Sequence, residues 1–192
     1  MRIIAGLAKG RNINSPISQV RPTSDRAREA LFSTLESEFG SLSDANFLDL
    51  YCGSGAVSCE ALSRGAGVVV AVDNEEKATS VTRSNFELLE KIPGIGSASV
   101  ITMSAGKYLD KGADLAFDIV FIDPPYDLPN SDVEKILLSL VNNRFLKSSS
   151  IIAVERDSKT KPFSWPQGLA ELKVRKYGAA SIYYGEPRQY RI

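Results

Sequence analysis

Beyond residue 45 the chain alternates two hydrophobic rhythms. Continuous apolar runs at 46–51, 68–72, 98–102, 117–122 and 151–155 read as strands, and the intervening segments space apolar residues at three and four, the period of a helix. That spacing predicts helices over 56–63, 75–90 and 105–109, and another opening at Ser131 with Glu134 at the reciprocal capping-box position. The expected inward stripe is Ala78, Val81, Asn85, Leu88 and Leu89 in the long helix, and Val133, Ile136, Leu137, Leu140 and Val141 in the last. Strands that are apolar throughout belong to a sheet covered on both faces. Their alternation with amphipathic helices gives an α/β fold with a mostly parallel sheet.

The two ends depart from this rhythm. Residues 172–176 and 180–184 flank Tyr177, Gly178 and Ala179 and read as paired antiparallel strands at the sheet edge, with Tyr183 and Tyr184 split between core and surface. Residues 2–7 and 9–14 read as a small hairpin, and 24–39 as a helix with Ala27, Leu31, Leu35 and Phe39 inward. The chain thus divides into an N-terminal hairpin and helix extension, 1–45, and a sheet domain, 46–192, with the extension placed to close one side of a cleft.

Composition narrows the class. A length of 192 residues with 43% hydrophobic content suits one packed domain, and a monomer is expected. No uninterrupted apolar run resembles a membrane span, and the first residues are broken too early for a signal peptide, so a cytoplasmic protein is expected. There is no histidine, which excludes His-based triads and the His-x-Glu deaminase signature. The two cysteines, Cys52 and Cys59, build neither a zinc site nor, in the cytosol, a structural disulfide, and no metal is expected. The net charge is zero but unevenly spread: residues 1–28 hold six basic residues against one acid, and 156–192 hold eight against three. Two basic ends that meet on one face would attract a polyanion despite the neutral total.

Candidate chemistry sits where strands end. In an open sheet the ligand lies beyond the carboxyl ends of the strands, where strand order reverses. The first strand runs into Asp49, Leu50, Tyr51, Cys52, Gly53, Ser54 and Gly55, whose glycines permit a sharp turn and close approach to a ligand. The third glycine of a pyrophosphate-binding turn is missing, since Val57 and Ser58 follow. A cofactor without phosphates, such as S-adenosylmethionine, fits this turn better than a dinucleotide. Asp49 engages the amino-acid end of that cofactor or orders the turn, and Tyr51 lies within the same segment. Asp73, which ends the second strand, stands where an acid accepts hydrogen bonds from ribose hydroxyls, or else caps the next helix. Ser104 and Ala105 follow the third strand and can frame the adenine. Glu155 closes the fifth strand and can point toward the cleft.

The most specific segment is Asp123, Pro124, Pro125 and Tyr126 after the fourth strand. Two prolines stiffen the loop and leave its carbonyls free to accept. An exocyclic amino group on an aromatic base is a poor nucleophile, because its lone pair is delocalised. It is helped by acceptors for both of its hydrogens and by alignment with an activated methyl. The Asp123 carboxylate and the Pro124 carbonyl can be those acceptors, and Tyr126 can stack on an extruded base.

These features together resemble the class I amino-methyltransferases. More closely, they resemble the bacterial 16S ribosomal RNA guanine-966 N2-methyltransferase family, through residues 2–6, 9–11, 21–26, 28–29, 49–55, 60–65 and 121–126. The resemblance implies a Rossmann-like, seven-stranded sheet of order 3-2-1-4-5-7-6. It also implies methyl transfer from S-adenosylmethionine to the N2 of one guanine of 16S ribosomal RNA, in the small subunit or a late assembly intermediate. Carried onto this chain, it makes Asp49, Gly53, Gly55 and Asp73 cofactor residues and gives the guanine to Asp123, Pro124 and Tyr126. Arg21, Thr23, Asp25, Arg26 and Arg28 fall in the family's early signature. Tyr51 and Cys52 stand where many relatives have Phe and Ala. From charge alone Arg21, Arg26 and Arg28, with Lys9 and Arg11 on the hairpin, are RNA-phosphate candidates. Two other readings compete: a DNA N6-adenine methyltransferase, which would commonly carry a target-recognition module that this chain has no length for, and a non-catalytic RNA-binding assembly protein, which would need no intact tetrad.

Overall fold

The computed structural model describes residues 1–15 and 25–188. After helix α1 (Asp25–Phe39), strands and helices alternate: β1 (Asn46–Leu50), α2 (Ala56–Ser63), β2 (Val68–Asp73), α3 (Glu76–Glu90), β3 (Ser97–Thr102), α4 (Ala105–Asp110), β4 (Phe117–Ile122), α5 (Asn130–Asn142) and β5 (Leu146–Asp157). The antiparallel strands β6 (Leu169–Tyr177) and β7 (Ala180–Pro187) complete one sheet of order β3-β2-β1-β4-β5-β7-β6. Strands β1 to β5 pair in parallel. This is the order that the family resemblance implies. Strand order reverses at β1, between β2 and β4, which opens a crevice at their carboxyl ends.

Burial explains the unbroken apolar strands. All six residues of β4 are buried, and the sheet separates two hydrophobic clusters. One cluster holds Phe47, Phe121, Ala153 and Ile182 with residues of α1, α2 and the N-terminal segment; the other holds Leu48, Ile122 and Val154 with residues of α4 and α5. Strand β7 lies between β5 and β6 rather than at an edge, so Tyr183 and Tyr184 are both buried, one on each face, and neither is at the surface.

Several expectations need correction. The inward stripe of α3 is Thr79, Thr82, Asn85, Phe86 and Leu89, whereas Leu88 is 46% exposed. The reason lies in the glycine turn beside it, whose buried carbonyls need donors: Thr82 Oγ1 donates to Gly53 O at 2.9 Å and Asn85 Nδ2 to Ser54 O at 2.8 Å. In α1, Arg28 and Phe32 join Leu31 and Leu35 inside, while Ala27 and Phe39 are half-buried. Helix α5 starts after Pro129 with no side-chain cap, and Glu134 accepts instead from Ser164 N at 2.8 Å. Strand β5 starts at Leu146, well before the apolar run, because Leu146 already pairs with Phe117 of β4, ahead of a register shift that takes in 147–150.

The expected N-terminal hairpin is short, one antiparallel bridge of Arg2 with Asn12 flanked by Ile3 N donating to Arg11 O at 2.9 Å and Ile13 N to Met1 O at 2.8 Å. Its turn docks on the far end of α2, where Gly6 at φ 79 lies so close that a Cβ would meet Ser63 O at 1.8 Å. Leu7 N donates to that same carbonyl at 2.7 Å. Because α2 descends from the carboxyl end of β1, this turn sits at the edge of the sheet opposite Asp123. Among the described residues of the extension, Ala27 of α1 lines the cleft. Among the described residues no helix is long and apolar enough to cross a membrane.

Candidate active site

A cleft of about 1270 Å³ opens above the carboxyl ends of β1, β2, β4 and β5 and is lined by Asp49, Tyr51, Gly53, Asp73, Asp123, Pro124, Tyr126 and Glu155. The first strand delivers Asp49, and the chain then turns sharply, with left-handed conformations at Tyr51, Gly53 and Gly55. Gly53 borders open space, where a Cβ would meet nothing. Gly55 faces backward, and a Cβ there would lie 2.6 Å from Thr82 Cγ2.

Two carboxylates organise this turn. Asp73 Oδ2 accepts from Gly53 N and its Oδ1 from Glu75 N, both at 2.9 Å. Asp73 therefore ties the glycine turn to the start of α3, with lone pairs left on both oxygens. Asp49 is buried and accepts from Ser58 Oγ at 2.6 Å through Oδ2, while its Oδ1 has no hydrogen-bond partner among the described residues. Burial, opposed by the Ser58 hydrogen bond and reinforced by the Asp73 charge, pushes the Asp49 carboxyl up to about 7.

On the other side of the crevice β4 ends in Asp123. Burial and the neighbouring Glu155 and Asp49 charges hold its carboxyl well above the usual range, and Arg156 opposes them. Pro124 is buried beside it, and Tyr126 is 45% exposed at the rim. The loop's shape depends on Arg156, which is only 2% exposed. Its Nη1 donates to Pro125 O at 3.4 Å, and its Nη2 to Leu128 O at 2.6 Å and Asn130 Oδ1 at 3.3 Å.

The structure thus brings Asp49, Tyr51, Gly53, Asp73, Asp123, Pro124 and Tyr126 to one cavity. Three expected cofactor residues lie outside its lining: Gly55 backs the turn, Ser104 caps α4 by accepting from Lys107 N, and Ala105 is core. Arg28 turns inward, fully buried, and donates to Arg2 O at 2.6 Å and Asp25 Oδ1 at 2.9 Å, with Glu60 Oε2 3.6 Å from its Nε. A guanidinium enclosed in this way cannot reach a phosphate. Arg21 lies outside the described residues, and Lys9, Arg11 and Arg26 are exposed. Cys52 is a buried filler against Thr82, and both thiols are free.

Sequence reasoning did not single out Arg156 as part of the site. Its signal was position: it follows Glu155 at the end of β5, next to the strand that carries Asp123. Ala27, Tyr177 and Ala179 were missed as cleft residues, since they arrive from α1 and the β6–β7 turn.

Residues 1–186 match the family described as Conserved hypothetical protein 95. A ribosomal RNA small subunit methyltransferase D of Haemophilus influenzae is 33% identical, over 94% of this chain and 91% of that one. The chain belongs to this family of class I methyltransferases. The solved structure of a putative methyltransferase from Escherichia coli has a TM-score of 0.84 to this methyltransferase at 29% identity, covering 98% of this chain and 99% of that one. A ribosomal RNA N6-adenosine-methyltransferase of Danio rerio is 30% identical over 89% of this chain and 79% of its own length. Likeness at that level thus extends to a relative named for adenosine N6.

Proposed function

We propose that this methyltransferase transfers a methyl group from S-adenosylmethionine to the exocyclic N2 of a guanine in the 16S ribosomal RNA of the small subunit, or of a late assembly intermediate. Family membership supports methyl transfer to ribosomal RNA. The observation that carries the site chemistry is the meeting, in one cleft, of the Asp49 glycine turn with Asp123 and Pro124.

The residues fit the cofactor. The unpartnered Asp49 Oδ1 is a buried acceptor suited to an ammonium group, Gly53 leaves room for the chain of the ligand, and Asp73 retains lone pairs for ribose hydroxyls. When bound, S-adenosylmethionine supplies an electrophilic methyl on a sulfonium. The protein's part is placement: Asp123 and the Pro124 carbonyl accept the two amino hydrogens and turn the nitrogen lone pair toward the methyl. Tyr126, at the rim, stacks on the extruded base. No strong base is required, because the amino proton becomes acidic as the nitrogen is alkylated, and Asp123 is in place to take it.

RNA beyond the target nucleotide meets exposed cations. Arg26 adjoins the cleft residue Ala27, and Arg175 and Lys176 precede the cleft residue Tyr177. Lys9 and Arg11 offer further charge on the docked N-terminal turn. The deciding experiment presents labelled cofactor to hypomethylated small subunits, free 16S RNA and DNA in parallel, followed by nucleoside analysis. N2-methylguanosine from ribosomal RNA is expected, and N6-methyladenosine would refute the proposal.

A further inference from the structure

Resting on the guanine-N2 reading, we propose that Glu155 is a specificity-determining residue: its carboxylate accepts the N1–H of the target guanine beside the amino group held by Asp123 and Pro124. Strands β4 and β5 pair in parallel with Ile122 opposite Val154, so Asp123 and Glu155 are the next residues on neighbouring strands. Side chains alternate along a strand, and Ile122 and Val154 point into one hydrophobic cluster. Asp123 and Glu155 therefore project to the opposite face, the one that carries Phe121, Ala153 and, on β1, Asp49. Both line the cleft.

Glu155 is 5% exposed, and its Oε2 has no hydrogen-bond partner among the described residues. The neighbouring cation, Arg156, is spent on the tetrad loop, with its guanidinium donating to Pro125, Leu128 and Asn130. A buried, unsatisfied acceptor costs stability unless a ligand supplies the donor. Two carboxyls on adjacent strand ends also repel each other when both are ionised, and burial raises both.

The edge of guanine answers this arrangement. Its N1–H and N2 amino group present three hydrogens side by side, all donors, to a wall of acceptors. Adenine presents an amino group next to N1, which is itself an acceptor, so the Glu155 carboxylate would face a lone pair. A site built to hydrogen-bond a substrate N–H rejects an analogue lacking it far more strongly than an apolar pocket rejects a size change. Asp123 and Pro124 serve any exocyclic amino group; Glu155 reads the atom beside it.

The test is an internal competition. Small subunits are reconstituted with 16S RNA whose target position holds either guanosine or 2-aminopurine riboside, which keeps the C2 amino group but has an unprotonated N1. Both compete for the same enzyme, so the ratio of kcat/KM values is independent of the fraction of protein that folds. Wild type is expected to favour guanine by about 100-fold or more. Glu155→Gln, whose amide N–H can donate to N1, is expected to narrow that preference at least tenfold, and Glu155→Ala to narrow it through loss of the acceptor alone. A wild-type ratio preserved in both variants would overturn the assignment of Glu155 while leaving the guanine-N2 reading standing. Absence of any N2-methylguanosine from wild type would overturn that reading itself, and the assignment with it.

Discussion

At Asp49 burial and the Ser58 hydrogen bond pull the carboxyl in opposite directions, and burial wins, lifting it from 3.8 to about 7. The folded protein then holds a proton that the unfolded chain has already released, so the stability Asp49 contributes is fully present below about 4 and is lost as pH rises toward 7. Cofactor binding runs the other way, since the ionised form accepts an ammonium group. Cofactor affinity, followed by calorimetry, should rise with pH with an inflection near 7, and Asp49→Asn should bind more weakly with a flat profile. At Asp123 the expectation separates binding from chemistry. Asp123→Ala should lower kcat by about 10²–10³-fold while cofactor affinity stays nearly unchanged, and a variant that fails chiefly by losing cofactor would sink the assigned role. Both acids were legible in the sequence, Asp49 because its strand runs directly into the glycine turn, and Asp123 because it follows a continuous apolar strand and precedes two prolines and an aromatic. Arg28 and Arg156 were not legible as interior residues. Only the fold shows that one is enclosed beside Glu60 and the other beneath the tetrad loop, and linear charge counting placed both in basic surface segments.

Two elements depend on buried charge. The tetrad loop is held by the planar fork of Arg156, which reaches three acceptors on separate residues. A lysine carries one compact charge and cannot bridge them, so Arg156→Lys should lower kcat by about tenfold at unchanged cofactor affinity, as read by steady-state assay beside calorimetry. The N-terminal segment is held by Glu60, fully buried on α2, which accepts from Ile4 N at 2.9 Å, Ala5 N at 3.0 Å and Arg64 Nε at 2.9 Å. Glu60→Gln removes the buried charge that faces Arg28 and Arg64 and leaves Arg28 only the exposed Asp25, so the unfolding free energy from denaturant titration should fall by about 3 kcal/mol. An unchanged midpoint would show that the pair contributes nothing. Element identity followed from apolar rhythm nearly throughout, and the misses share a cause. Where a helix packs on the irregular glycine turn, inward residues must donate hydrogen bonds, so Thr82 joins the expected Asn85 inside, at a position next to the one that a hydrophobicity pattern assigns to Val81.

Across the whole molecule the basic ends do not add up as their sequence totals suggest, since two of their arginines are interior. The exposed cations beside the cleft, Arg26 and Lys176, carry the expectation for RNA. Each replaced by alanine should reduce the salt slope of RNA binding by about one, and a slope equal to wild type would remove that residue from the contact surface. The sheet order was reached through family resemblance, because nothing in local patterning says that β7 inserts between β5 and β6. That insertion has a consequence for synthesis on the ribosome. Strands β1 to β5 leave the exit tunnel first, so β5, which carries Glu155 and Arg156, waits as an open edge until residues 180–187 emerge to pair with it. A nascent chain stalled before that point already holds the whole glycine turn and the whole tetrad, yet exposes the backbone of the strand that supports them. It is the natural client for a chaperone that binds unpaired strand edges.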